Sequence, residues 1–535
     1  MFNIPIRSVA AVSLCFLASC SRGPSASMNP GRPDAQALEQ EMAVRRAVAT
    51  ITETDVRTRV NLIADDSMGG RDTPSPGLDK TAAYISSEFE RMGLEALGDN
   101  GHWYQHYGIR MSVIDPAGSS LTISGRAGES ALLELGVDTS SLSRGAPEKA
   151  SLTLPIVVVG GGGADASPLD RSLLEGKVVL WAARPESDED RGGRSVSRDE
   201  RRRALQTGEA GGAVAVVVAV DDDVPIGASS EPTSQVSVDF AGPFLVTARE
   251  SRIRAGVPSV AAALAEVRSS SGLRSISDPG WTVTFETNFM RNETLEVPNV
   301  VGLVRGRDSV LQNEYLVFTA HFDHVGSRCA REGEDDRICN GADDNASGTT
   351  GLLELAEAFA QPGAQPRRSV IFAAVSGEER GLLGSRYLAE NPPVPIQNIV
   401  ANINMDHLGR NWRDSIVVIG GEHSDLGRLP PAVSAAHPEL NMKPLPDQWP
   451  DQRIYFRSDH YNFAKEGVPI LFFTNGFHDD YHRVTDSPDK IDAEKESRVV
   501  RYIFHIGNRI ANEDDRPRWD PQSYREIVRP ERQTP

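Results

Sequence analysis

Between residues 315 and 475 the chain alternates two hydrophobic periods. The runs YLVFTA, SVIFAAV, IVANINM and PILFFT are almost wholly apolar, as strands buried on both faces of a sheet are. Between them lie segments with a helical stripe. TGLLELAEAFA sets Leu352, Leu355, Ala356 and Phe359 on one side, and RGLLGSRYLAE follows the second run. Buried strands alternating with amphipathic helices predict an α/β fold, a mixed, mostly parallel sheet covered by helices on both faces. Upstream, DKTAAYISSEFERMGL repeats apolar positions at Ala82, Ile85, Phe89 and Met92, one face of a further helix. The GGRDTPSPG before it has the glycines and prolines of a loop.

From 116 to 290 the texture changes. LPIVVVGGGG, GKVVLWAAR, AGGAVAVVVAV and GPFLVTARES are short β-branched runs separated by turn residues, and no histidine occurs between His106 and His321. This stretch is expected to be a mainly-β, non-catalytic insert. It interrupts a unit whose N-terminal helical part covers 41–115 and whose main part covers 291–512. Residues 513–535, rich in Asp, Arg and Pro, are expected to form a loose tail, with Trp519 as the residue able to dock it.

The first residues read as an address. In MFNIPIRSVAAVSLCFLASC a single Arg precedes an apolar stretch from Val9 to Leu17, too short to span a bilayer as a helix. Its end, Leu17-Ala18-Ser19-Cys20, resembles a bacterial lipobox. That gives a signal peptide over 1–19, a lipid anchor at Cys20 and a flexible Ser/Pro/Gly tether over 20–40; an ordinary secretory signal is the alternative. Either reading exports the chain. By resemblance, Ser21 after the cysteine points to the periplasmic face of a Gram-negative outer membrane.

Length and charge narrow the class. At 535 residues the chain exceeds what one core organises, so two or three domains are expected. The formal charge of −19 argues against a nucleic-acid partner, since no basic surface is available to neutralise phosphates. Of four cysteines, Cys329 and Cys339 remain after the leader and the lipid site. In an oxidising compartment this pair is expected to form a disulfide closing the loop AREGEDDRI.

Chemistry concentrates just past the apolar strands. His321 and Asp323 follow YLVFTA, and Asp343 and Asp344 open TGLLELAEAFA. Glu378 and Glu379 follow SVIFAAV, Asp406 and His407 follow IVANINM, and His478, Asp479, Asp480 and His482 follow PILFFT. The carboxyl ends of parallel strands share one edge, where ligands bind. Imidazoles and carboxylates without a free cysteine suit Zn²⁺. One shared carboxylate can bridge two ions, and of two adjacent glutamates one can bind metal while the other acts as a base.

Taken together, AHFDHVG, NGADDNASG, VSGEERGLLGS, NMDHLG and DYHRVTDSPDKID are similar to a two-zinc exopeptidase family. That family includes aminopeptidase Y and the bacterial leucyl aminopeptidases, and the similarity runs over about residues 295–512. Through GKVVL and AGGAVAVVV the insert resembles the protease-associated domain found in some members. The resemblance implies two Zn²⁺ per chain: His321 and Asp406 on one, Glu379 and His482 on the other, and Asp344 bridging them. It implies Glu378 as general base, Asp323 as support for His321, and Tyr481 as a candidate to polarise the scissile carbonyl. Asp343 would then be a helix-terminal charge or cap, Ser458 a helix cap, His460 a structural residue, and His324 and His407 walls of the site. His478 is left unassigned.

The implied reaction is removal of the N-terminal residue from peptides with a free α-amine. The alternatives are a carboxypeptidase or dipeptidase on the same scaffold, for which Arg453 and Arg457 are candidate carboxylate holders, a glutaminyl-cyclase-like transferase, and an inactive binding homologue.

Overall fold

The computed structural model describes residues 35–529 and 532, apart from 141, 143–144, 163–168, 186–195, 227–232, 238–241, 332 and 334. Cys20, the expected leader and most of the tether lie outside the described residues. No helix among the described residues is long and apolar enough to cross a membrane.

The apolar runs form the expected strands. Tyr315–His321 pairs in parallel with Ser369–Val375 on one side and with Ile399–Met405 on the other, and Ile399–Met405 continues in parallel to Ile470–Thr474. Ser415–Ile419 on one flank and the far end of Leu273–Val304 on the other run antiparallel to this block. The sheet is therefore mixed and mostly parallel at its centre. Successive residues of each strand enter different cores. Leu316, Phe318 and Ala320 pack with Leu352, Phe359 and Ile503, while Val317, Ile371 and Phe472 pack with Leu388, Phe463 and Ala464. Helices Pro76–Met92, Gly348–Ala360 and Ala493–Asn512 supply the first face, and Leu383–Glu390 and His460–Lys465 the second. A sheet buried on both sides has no place for the polar alternation of a half-exposed strand.

Two long strands, Tyr104–Ser124 and Leu273–Val304, pair antiparallel and run from this sheet into the middle segment. The expected junctions at 115/116 and 290/291 both fall inside them. The middle segment carries four parallel strands, Ser151–Gly161, Val178–Ala182, Ala215–Val220 and Phe244–Arg249. It builds hydrophobic clusters of its own around Val158, Val217 and Leu264 and around Val159, Trp181 and Val218. It is less purely β than expected, because Arg198–Ala210 and the pair Glu250–Gly256 and Pro258–Arg268 pack on its faces.

The tail is docked rather than loose. Trp519 Nε1 donates to the Gly467 carbonyl at 2.9 Å, and a helix follows over Pro521–Ile527. Arg529 then pairs with Glu390 at 2.7 Å and Glu466 at 3.1 Å. The arginines that suggested a solvated tail instead neutralise the buried Glu466.

Candidate metal centre and cleft

Each chemical cluster leaves its strand at the same sheet edge. His321 is the last residue of its strand, and its carbonyl accepts the Thr349 hydroxyl at 2.8 Å. The turn 341–347 is held from both ends. Asn345 donates to the Met405 carbonyl at 3.0 Å and accepts from Gly348 N at 2.9 Å, and the Asp486 carboxylate accepts from the amides of Asp343 and Asp344 at 3.1 and 3.2 Å. Gly341 enters the turn at φ 56°, where a Cβ would meet the His324 ring at 2.5 Å. The Asp344–Asn345 peptide is cis.

His321, Asp344, Glu379, Asp406 and His482 converge. His321 Nε2 stands 3.3 Å from Asp406 Oδ1 and 3.6 Å from Asp344 Oδ1. His482 Nε2 stands 3.1 Å from Asp344 Oδ2 and 3.1 Å from Glu379 Oε2. Donors about 2.1 Å from a tetrahedral ion lie about 3.4 Å from one another, so both groups have the spacing of a zinc ligand set. Asp344 gives one oxygen to each. His482 Nε2 is buried with no hydrogen-bond partner among the described residues, which is what a ligand atom awaiting a cation looks like. Burial disfavours a charged imidazole at His482, yet Asp344 and Glu379 outweigh it and hold the ring up at about 10.

Glu378 lines a cleft with Asp344, Asp406, His407, Arg457, Phe477 and Tyr481. Burial lifts its carboxyl well above the ordinary range against the pull of His321. Tyr481 stacks on His482 with ring centres 4.0 Å apart. Arg457 lies 5.0 Å over the Phe477 ring in the cleft wall, whereas Arg453 covers Phe456.

Several side chains differ from their expected places. His321 Nδ1 faces the main-chain oxygen of Asp323 at 3.2 Å and its carboxylate only at 3.7 Å. The Asp323 carboxylate also accepts the Glu378 amide and the Thr73 hydroxyl. Asp343 does not cap the following helix. Its Oδ1 accepts Ser347 Oγ at 3.1 Å and Gly409 N at 2.6 Å, because the turn carries it inward. Ser458 caps nothing either: its hydroxyl donates to Asp406 Oδ2 at 3.0 Å and accepts from Asn404, fixing the carboxylate that faces His321. His460 is structural as expected. Its Nε2 meets the Tyr455 carbonyl at 2.8 Å, its ring stacks on Phe472, and burial drops it to about 3.

Sequence reasoning underrated His324, whose Nδ1 stands 2.9 Å from Glu379 Oε1 and 3.7 Å from Asp344 Oδ2. It missed Arg71 and Thr73 altogether. Arg71 is fully buried and donates to four carbonyls, those of Phe322, Ile63, Asn340 and Gly341. The Cys329–Cys339 disulfide is formed and closes the loop beside them.

Residues 299–506 match the model of Peptidase family M28. A probable zinc metalloprotease of Leptosphaeria maculans is 36% identical over 120 residues, 22% of this chain and 26% of the relative. One of Pyrenophora teres f. teres is 35% identical over 118 residues, 22% of this chain and 23% of the relative. The match thus spans about a quarter of the length of these curated relatives. Among solved structures, an aminopeptidase from Aneurinibacillus sp. strain AM-1 is 18% identical, covering 88% of this chain and 97% of its own with a TM-score of 0.49. A zinc aminopeptidase from Bacillus subtilis is 17% identical, covering 87% and 96% with a TM-score of 0.45. The segment 299–506, which matches the model of Peptidase family M28, carries all five converging side chains.

Proposed function

We propose that the chain is a co-catalytic two-zinc aminopeptidase that removes N-terminal residues from peptides. The observation that carries the reading is the division of Asp344 between two ligand groups, Oδ1 with His321 and Asp406, Oδ2 with Glu379 and His482. Zinc, when bound there, supplies Lewis acidity toward the peptide carbonyl and acidifies water. Glu378, in the cleft wall, takes the proton of the attacking water and delivers it to the leaving amine. Asp323 holds the Glu378 amide, Thr73 holds the amide of Gly377 before it, and Ser458 holds Asp406. Tyr481 offers its hydroxyl beside His482 for the developing oxyanion. The aminopeptidase direction follows from the resemblance of the motifs AHFDHVG, NGADDNASG and VSGEERGLLGS to the two-zinc exopeptidase family.

Arg457 in the same wall favours the second reading, a carboxypeptidase or dipeptidase that grips a free carboxylate. Aminoacyl-p-nitroanilides, their N-acetylated forms and N-blocked peptides with free carboxylates separate the two. Hydrolysis that needs the free amine, ends with chelation and returns with zinc is the expected result. Glu378→Gln should lose about 10²–10⁴-fold in rate while retaining its metal. Cleavage of the N-blocked peptides alone would reverse the direction. Two bound metals with no turnover of any substrate would remove the activity and leave the site.

We further infer export and a lipid anchor at Cys20, supported by the apolar leader and by a disulfide that suits an oxidising compartment. Radiolabelled palmitate should enter the wild-type chain and not Cys20→Ser.

A further inference from the structure

We propose that the chain binds a third divalent transition-metal ion, held by Asp343, His407 and His478, on the far side of the His407 ring from the zinc pair. This goes beyond the peptidase reading, and its ion count rests on the two-zinc pair of that reading.

Asp343 Oδ1 is fully occupied by Ser347 Oγ and Gly409 N. Its Oδ2 has no hydrogen-bond partner among the described residues, although the residue is wholly buried. That oxygen lies 3.3 Å from His478 Nε2 and 3.7 Å from His407 Nδ1. Neither ring nitrogen has a hydrogen-bond partner among the described residues, nor does the second nitrogen of His478. The three candidate ligand atoms lie within 4.8 Å of one another. The His478 and His407 side chains are 4% and 7% exposed. Leaving so many buried polar atoms unpaired is costly, and such groups call for an occupant. Two imidazoles and one carboxylate form an N₂O set that takes Zn²⁺ with a fourth position open. The other nitrogen of His407 faces away, toward Asp406 Oδ1 at 3.5 Å and Asp344 Oδ1 at 3.8 Å, so the ring separates this place from the pair.

The three ligands come from three segments: the turn 341–347, the exit of the strand Ile399–Met405, and the loop after Ile470–Thr474 that also carries Tyr481 and His482. A cation between them would pin that loop. It acts as a positioning ion for His482 and Tyr481, with no contact to substrate.

The test is metal counting. The mature chain is stripped with chelator and dialysed to equilibrium against micromolar Zn²⁺, and the bound metal is measured by plasma mass spectrometry. Three ions per chain are expected in wild type and two in His478→Ala and Asp343→Asn, with circular dichroism confirming that each variant is folded. A Co²⁺ titration should show a third absorbing step that both variants lack. A wild-type count that neither folded variant lowers overturns the third site, whether that count is two or three. A wild-type count of two that falls to one in both variants keeps the third site and removes one ion of the pair instead.

Discussion

Asp323 connects the N-terminal loop to the proposed base: its Oδ1 accepts the Glu378 amide at 3.1 Å while its Oδ2 accepts the Thr73 hydroxyl at 3.0 Å. The same hydroxyl accepts from Gly377 N at 3.1 Å, so one threonine, 250 residues before Asp323, braces both sides of the Glu378 turn. Gly377 sits at φ 69°, which lets the chain reverse directly after the strand.

Thr73→Val keeps the shape of the side chain and deletes both hydrogen bonds. Loss of a group that orients a functional residue typically costs on the order of 10–100-fold. The expected result is a fall of that size in kcat, with KM and bound zinc nearly unchanged. A variant with wild-type kcat would show that Asp323 positions Glu378 without help.

Arg71 is the second brace. Its guanidinium holds the carbonyl of Phe322, next to His321, those of Asn340 and Gly341, which lead into the Asp343–Asp344 turn, and that of Ile63, at 2.6–2.9 Å. Arg71→Met leaves these buried acceptors unpaired, and destabilisation on the order of 3 kcal/mol or more follows. Arg71→Lys should recover little, since an ammonium cannot reach four acceptors in a plane. Urea unfolding of the metal-free protein measures both, and full rescue by lysine would refute the fork geometry.

How much of this was legible follows from where the information sits. His321, Asp344, Glu379, Asp406 and His482 each lie just beyond an apolar strand, and parallel pairing alone gathers such positions at one edge. Arg71 and Thr73 occupy a polar Gly/Pro loop whose composition is that of any solvated turn. Only the tertiary fold brings that loop beneath the site, so no local pattern marks it. Ser458 looked like a cap because it precedes a helix, but the buried Asp406 oxygen is the stronger attraction for its hydroxyl. The tail misled for a related reason. Its arginines resemble a solvated run until Glu390 and Glu466 are seen beneath Arg529.

The Cys329–Cys339 bridge spans a sequence separation of 10. Closing a loop of that size restricts the unfolded chain by about 2–3 kcal/mol in the chain-entropy account. Cys339 is buried, its amide donates to Gly326 at 2.8 Å, and the next residue, Asn340, is one of the Arg71 acceptors. The double variant Cys329→Ser/Cys339→Ser should therefore lose that stability and also bind zinc more weakly. Stability lost with unchanged zinc affinity would show that the bridge does not support the metal turn.

Glu354 gives a pH dependence removed from the metal centre. Burial raises its carboxyl to about 8, against the pull of Arg59, whose Nε lies 3.1 Å away. The ordinary value is 4.5, so the folded state holds a proton that the unfolded chain releases. This contribution is fully present below pH 4.5 and is lost as pH rises toward 8, because the unfolded chain then binds fewer protons. Glu354→Gln is neutral throughout and leaves Arg59 paired with Glu88 and Glu357. Relative to wild type it should gain stability between pH 5 and pH 8, by up to a few kcal/mol. Urea unfolding of both proteins at the two pH values reads the difference. A gap that does not widen with pH would mean that Arg59 keeps Glu354 ionised in the folded protein.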